Sequence, residues 1–289
     1  MSLLERNIKL EVAVFSAGCA LKAQLLGAQR VELSAPGSYR RGGLTPPLAE
    51  VLAVKGELKI PLRIMIRPVS IPDARHPGRK DDFVYTDDEF TRMLYDIIEF
   101  KNCGAMDLMR GDGFVFGILK ERDEKPEVGG DDDDDDDGVA PAKGARLEVD
   151  KERCSILVET ARPYPCVFHR AFDPIAQTDE YWKQGLDDLL ECKFDSLLTS
   201  GGPESHTDSQ KLRSMIDHAL PDLEITVGGG VRSTNTAQLI TDLGAHCTKD
   251  IWLHSSCLVP KGPFEAQKEA VDPDLLRDLL VVINQLRQK

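Results

Sequence analysis

The sequence is short of several things, and each shortage closes off a class of function. It has no Cys-x-x-Cys pair, and its seven cysteines (Cys19, Cys103, Cys154, Cys166, Cys192, Cys247 and Cys257) are odd in number and widely spaced. That pattern reads as reduced thiols rather than a disulfide framework. No apolar run is long enough to cross a bilayer, and Met1 to Leu10 carries no signal-peptide core. A cytoplasmic home is therefore expected, with the nucleus as an alternative. Lys and Arg are outnumbered, 36 against 49 Asp and Glu, and they do not cluster as a phosphate-binding surface requires, so nucleic acid is not an expected partner. The nucleophile motif Gly-x-Ser-x-Gly is missing as well.

What the chain does have is alternation. Over 289 residues, short β-branched runs take turns with longer amphipathic stretches. Strands are predicted at Leu10–Phe15, Arg30–Ser34, Leu62–Pro68, Gly113–Leu119, Cys166–Arg170, Ser196–Ser200, Glu224–Gly228 and Asp250–His254. The intervening helices span about 19–27, 48–55, 86–103, 150–162, 178–192, 208–220, 235–243 and 272–287, with Thr86 as an N-cap and Pro273 in a first turn. Eight strand–helix units imply parallel strands with right-handed crossovers. The fold class expected is α/β, a single (β/α)₈ TIM barrel filling 1–289, with a doubly wound open sheet as the alternative. The strands read as nearly continuous apolar runs, as strands covered on both faces do.

One stretch breaks the rhythm. Residues 120–146 contain the run Asp131 to Asp137, flanked by Gly129, Gly130 and Gly138. Packed like charges bury too little apolar area to offset chain entropy. It reads as a disordered acidic insertion after the fourth strand, and it accounts for seven of the formal charges behind a net charge of −13.

In a barrel of this kind the chemistry gathers where the strands end, and polar residues collect there. Arg67 ends the third strand. His169, Arg170 and Asp173 follow the fifth, and Thr199, Ser200, Gly201 and Gly202 the sixth. Gly228, Gly229 and Gly230 end the seventh, and His254, Ser255 and Ser256 the eighth. Glycines followed by a helix N-terminus let backbone N–H groups approach an anion. The expected anion-binding set is Arg67, Arg170, Ser200, Gly201, Gly228, Gly229, Gly230, His254, Ser255 and Ser256. His169 is the leading acid–base candidate, with Glu32 or Asp173 to orient it or share the work. Glu11, Glu32 and Arg67 read equally as a buried ion network, since a buried carboxylate needs a partner.

These segments, in this order, resemble the CutC family of copper homeostasis proteins. The stretches that carry the likeness are LEVAVFS (Leu10 to Ser16), VELSAPGSYRRGGLTPP (Val31 to Pro47), IMIRP (Ile64 to Pro68), VFHRAFD (Val167 to Asp173), LLTSGG (Leu197 to Gly202), VGGGV (Val227 to Val231) and LHSS (Leu253 to Ser256). The resemblance implies a TIM barrel, a cytosolic homo-oligomer and a role in copper binding and tolerance. The family's proposed copper ligands are cysteines on the first two strands, and the corresponding positions here are Ala13, Val14 and Ser34. Cu(I) prefers sulfur donors, which these residues do not supply. Three expectations follow: copper as a bound ion, an enzyme acting on a small anionic or phosphorylated metabolite, or a non-catalytic oligomeric scaffold.

Overall fold

The computed structural model describes residues 7–70, 81–122, 147–179, 181–202, 207–219, 221–244, 251–258 and 269–288. In chain order the elements are β1 (Ile8–Val14), α1 (Ala17–Leu26), β2 (Arg30–Leu33), α2 (Leu48–Ala53), β3 (Leu62–Met65), α3 (Asp87–Asn102) and β4 (Gly113–Phe116). Then come β5 (Leu119–Glu121), β6 (Leu147–Val149), α4 (Lys151–Ala161), β7 (Cys166–Phe168), α5 (Asp173–Ala176), α6 (Trp182–Glu191) and β8 (Ser196–Thr199). The last are α7 (Ser209–Ala219), β9 (Glu224–Val227), α8 (Ser233–Leu243), β10 (Ile251–Ser255) and α9 (Pro273–Arg287). Eight parallel strands close into a barrel in the order β1, β10, β9, β8, β7, β4, β3, β2. The expected TIM barrel is thus the architecture observed.

Strand alternation divides two cores. Leu10, Val12 and Val14 of β1 belong to the large apolar layer shared with the helices and are fully buried. Each such side chain contributes about 1.5–3 kcal/mol by leaving water. The residues between them, Glu11 and Ala13, turn to the inside, as does Phe15 just past the strand. Pairing of β1 with β10 closes the ring, setting Glu11 opposite His254, and pairing with β2 sets Glu11 opposite Arg30 and Ala13 opposite Glu32.

Local signals hold the helices in place. Thr86 and Glu89 form a reciprocal capping box at the start of α3. Asp272 accepts from the amides of Asp274 and Leu275 at the start of α9, and Pro273 occupies its first position. Among the described residues no helix is long and apolar enough to cross a membrane.

Two local expectations change. The helix predicted over 178–192 is shorter, with α5 ahead of it and α6 starting at Trp182. Residues 120–122, assigned to a disordered insertion, are ordered: Leu119–Glu121 pairs antiparallel with Leu147–Val149. The buried Leu119, Leu147 and Val149 anchor that ladder in the outer core. The acidic run Asp131 to Asp137 lies outside the described residues.

Candidate active site at the barrel mouth

The inside of the barrel has an apolar side and a polar side. Strands β3, β4, β7 and β8 contribute Met65, Val115, Val167 and Leu198, which form their own buried cluster. Strands β1, β2, β9 and β10 contribute Glu11, Arg30, Glu32, Thr226 and His254. Arg30 is the hub. Its guanidinium pairs with Glu11, donates to Glu224 Oε1 at 3.2 Å and Thr226 Oγ1 at 3.1 Å, and lies 3.7 Å from the centre of the Trp252 ring. Both Arg30 and Glu11 are buried, a placement that is tolerable only because each neutralises the other.

Glu11 has a second partner: its Oε1 lies 2.7 Å from His254 Nδ1. Burial alone would raise the Glu11 pKa, but Arg30, His254 and Arg63 together bring it down to about 2. For His254 burial favours the neutral ring, yet Glu32 and Glu11 outweigh it and the pKa is raised. Glu32 goes the other way for a carboxylate. Burial and the negative Glu11 push it up to about 7, against the pull of His254 and Arg30. Its Oε2 is buried and has no hydrogen-bond partner among the described residues.

The opposite corner of the mouth is built around His169, which caps the short turn Arg170–Phe172 after β7. Its Nδ1 accepts from the Ala171 amide at 3.3 Å, which puts the ring proton on Nε2. That nitrogen is buried, without a partner among the described residues. Burial, with the cation of Arg67 behind it, lowers the His169 pKa to about 3. The ring is neutral across the ordinary pH range. Phe83 meets it edge-on at 4.7 Å between centroids. Gly117 makes room for it, since a Cβ there would fall 2.8 Å from His169 Nδ1.

A cavity of about 380 Å³ lies between the two corners, within the range of small-ligand sites. Glu32, His254, His169, Met65 and Leu198 line it, and Arg40, Arg170 and Arg232 supply cationic groups. Gly229 and Gly230, both in the left-handed region at φ 88°, line it too, with Ser255 and Ser256. Sequence reasoning placed all of these at the mouth except Arg40, Arg232 and the two apolar residues.

Other predicted residues take different places. Arg67 does not join Glu11 and Glu32. Its guanidinium turns back to the carbonyls of Arg41 (2.6 Å) and Gly43 (3.0 Å) and to Asp82 Oδ2 (2.8 Å), and it is buried there. Arg30 holds the position in the ion network that the sequence reading gave to Arg67. Asp173 is a tie between loops rather than a neighbour of the imidazole. It accepts from Thr199 Oγ1, the Ser200 amide and hydroxyl, and Arg170 Nε, at 2.6–3.0 Å. Ser200 and Gly201 are consumed in that knot, with Gly201 donating its N–H to Thr199 Oγ1. Gly228 packs beneath the rim, where a Cβ would fall 2.8 Å from Leu198.

For a metal ion, one group of side chains among the described residues is close enough: the ligand atoms of Glu11, Glu32 and His254 lie within 4.8 Å of one another. Glu11, however, is already neutralised by Arg30, and Arg63 adds a second cation nearby. Thiol sulfur is elsewhere, and the Met65 thioether is a single soft donor at the cavity wall. Among the described cysteines none lines the cavity. Burial raises the thiol pKa of Cys154, of Cys192 and of Cys257, and takes that of Cys166 to about 12, so each stays protonated. Ala13 and Ser34 do line the cavity, whereas Val14 faces the outer core. Cys247 lies outside the described residues.

Comparison with known proteins gives a consistent family. The model of the CutC family matches residues 8–124 and 138–255. A copper homeostasis protein cutC homolog of Caenorhabditis elegans is 30% identical over 259 residues, covering 89% of this chain and 83% of that protein. The Homo sapiens protein of the same description is 32% identical over 243 residues, covering 83% of this chain and 72% of its own length. A crystal structure of a CutC protein from Streptococcus agalactiae superposes with a TM-score of 0.63 at 23% identity, over 86% of this chain and 98% of that one. That last likeness speaks to the fold.

Proposed function

This chain is a member of the CutC family, and from that premise we propose that it serves copper homeostasis, the role its relatives are named for, through a small anionic ligand held at the barrel mouth. Copper in this reading is the context of the role rather than an ion gripped by thiolates. The observation that carries the reading is the cavity itself: cationic side chains and a glycine turn surround it, while Ala13 and Ser34 stand where the family resemblance would put cysteines. Cu(I) is a soft ion and binds poorly to a methyl group, a hydroxyl or protonated buried thiols. Carboxylates and imidazoles are harder donors, and Glu11 and His254 already satisfy one another.

The test has two arms. Calorimetric titration with small carboxylates and inorganic phosphate should show saturable binding that weakens at least tenfold in Arg232→Gln. Competition for Cu(I) against a chelating dye should show no stoichiometric retention by the natural chain, and a gain in Ala13→Cys/Ser34→Cys. Tight Cu(I) retention by the natural chain, abolished by thiol alkylation, would overturn this reading in favour of a thiolate copper carrier.

A further inference from the structure

We infer that the mouth is a proton-transfer site, in which Glu32 as base and His254 as acid, the latter aligned by Glu11, shift a proton between neighbouring carbons of a small anionic hydroxycarbonyl compound. This rests on the anion-pocket reading above and names its chemistry.

The placement of three residues argues for it. Glu32 on β2 and His254 on β10 flank β1 and reach the same cavity. Glu11 occupies His254 Nδ1, which leaves Nε2 as the ring nitrogen for a ligand. This is the arrangement in which a carboxylate fixes the tautomer of a working histidine. Glu11 is itself held by Arg30, so it positions the ring and does not take the proton. Glu32 is the opposite case. Its Oε2 is buried and unpartnered among the described residues, a costly state for a carboxyl group with only a structural part to play. His169 Nε2–H, a neutral donor without a described partner, lies across the same cavity and suits an oxygen on which negative charge develops.

The substrate class follows from balance. Glu32 takes the proton from the carbon beside the carbonyl. The C–H electron pair becomes the new C=C bond, and the carbonyl π pair moves to its oxygen, which takes the proton of His254 Nε2–H. The enediol then collapses in the other direction. Its second hydroxyl gives its proton to His254, and Glu32 returns its own to the adjacent carbon. Nothing is consumed, so no oxidant, nucleophile or co-substrate is needed. A phosphate or carboxylate elsewhere on the molecule would sit among Arg40, Arg170 and Arg232.

The experiment uses the full chain in D₂O with dihydroxyacetone phosphate, hydroxypyruvate and ribulose 5-phosphate. Proton NMR follows loss of the C–H signal next to the carbonyl, and saturation transfer reports binding of each probe. At least one probe should bind and exchange a hundredfold faster than with heat-denatured chain. Glu32→Gln should lose that acceleration at least a hundredfold while still binding. Glu11→Gln, a positioning change, should move the pH profile of exchange, which depends on Glu11, Arg30 and His254 around Glu32 and on Glu11, Glu32 and Arg170 around His254. A probe that binds without exchange, or exchange undiminished in Glu32→Gln, overturns the inference and leaves the pocket standing. Absence of binding by every probe overturns the pocket reading, and this inference with it.

Discussion

Two corners of one rim, each built on a histidine, reach opposite electrostatic states. His254 sits between carboxylates and is held toward its charged form. His169 is more deeply buried, backed by a cation, and kept neutral with a pKa near 3. The arginines differ in the same way. Arg30 faces inward and shares its charge with Glu11, Glu224 and Thr226. Arg67 does not line the cavity and spends two of its donors on backbone carbonyls. Residue type therefore says little about role here. Burial and the sign of the charges that surround the group decide it together.

The largest effect that can break this comparison is on stability. Glu11→Ala leaves Arg30 buried with only the half-exposed Glu224 as a charged partner, so the expected loss is about 3–5 kcal/mol. Asp82→Ala removes the acid from the other arginine, but the carbonyls of Arg41 and Gly43 remain and Asp82 is partly exposed. A loss of about 1 kcal/mol is expected there. Urea denaturation of both variants checks the ordering, and equal losses would mean that the two corners are energetically alike.

Stability against pH is next in size, and the two corners act in opposite directions. The folded pKa of Glu32 is raised from 4.5 to about 7. Between those values the folded state holds the extra proton, so this group lowers stability as pH rises. The folded pKa of His169 is lowered from 6.5 to about 3. Between those values the unfolded state holds the extra proton, so this group raises stability as pH rises. Each slope approaches about 1.4 kcal/mol per pH unit. In the natural chain they offset between pH 4.5 and 6.5. Glu32→Gln should unmask a stability that rises with pH across that window, and His169→Asn one that falls. Chemical denaturation at several pH values reads both, and variants with the same slope as the natural chain would refute the assigned proton balance.

Much of this architecture could be read from sequence, because period and punctuation are local properties. The eight strand–helix units, the Thr86 cap and Pro273 at a helix start all follow from neighbouring residues. The inward face was legible too: in Arg30-Val-Glu32-Leu-Ser34 the polar residues alternate. What alternation does not convey is depth along the barrel. Glu11 is paired in register with Arg30, whereas Arg67 lies beyond the end of β3 and follows the rim. Choosing Arg67 as the partner of Glu11 and Glu32 required a register that one strand alone does not contain. Asp173 was read as a neighbour of His169 because the two are close in sequence, yet its four donors come from Arg170, Thr199 and Ser200. The ladder at 119–121 and 147–149 escaped notice because the intervening charge run dominates composition in that region.

The smallest effect tests whether the corners are separable at all. Arg170 is the one charged residue whose field lowers the pKa of both histidines, and in each it is the weakest of the influences. It is also tied to Asp173 through Nε, but Asp173 keeps its Thr199 and Ser200 donors when Arg170 is changed. Arg170→Gln should therefore move both imidazoles slightly upward while the fold persists. The wide gap between them should remain, because it comes from Glu11 and Glu32 on one side and from burial with Arg67 on the other. Titration of the imidazole C–H resonances measures both shifts in one sample. A large upward move of His169 alone would mean that Arg170, rather than burial and Arg67, keeps that ring neutral, and the contrast between the corners would then reduce to the position of one rim arginine.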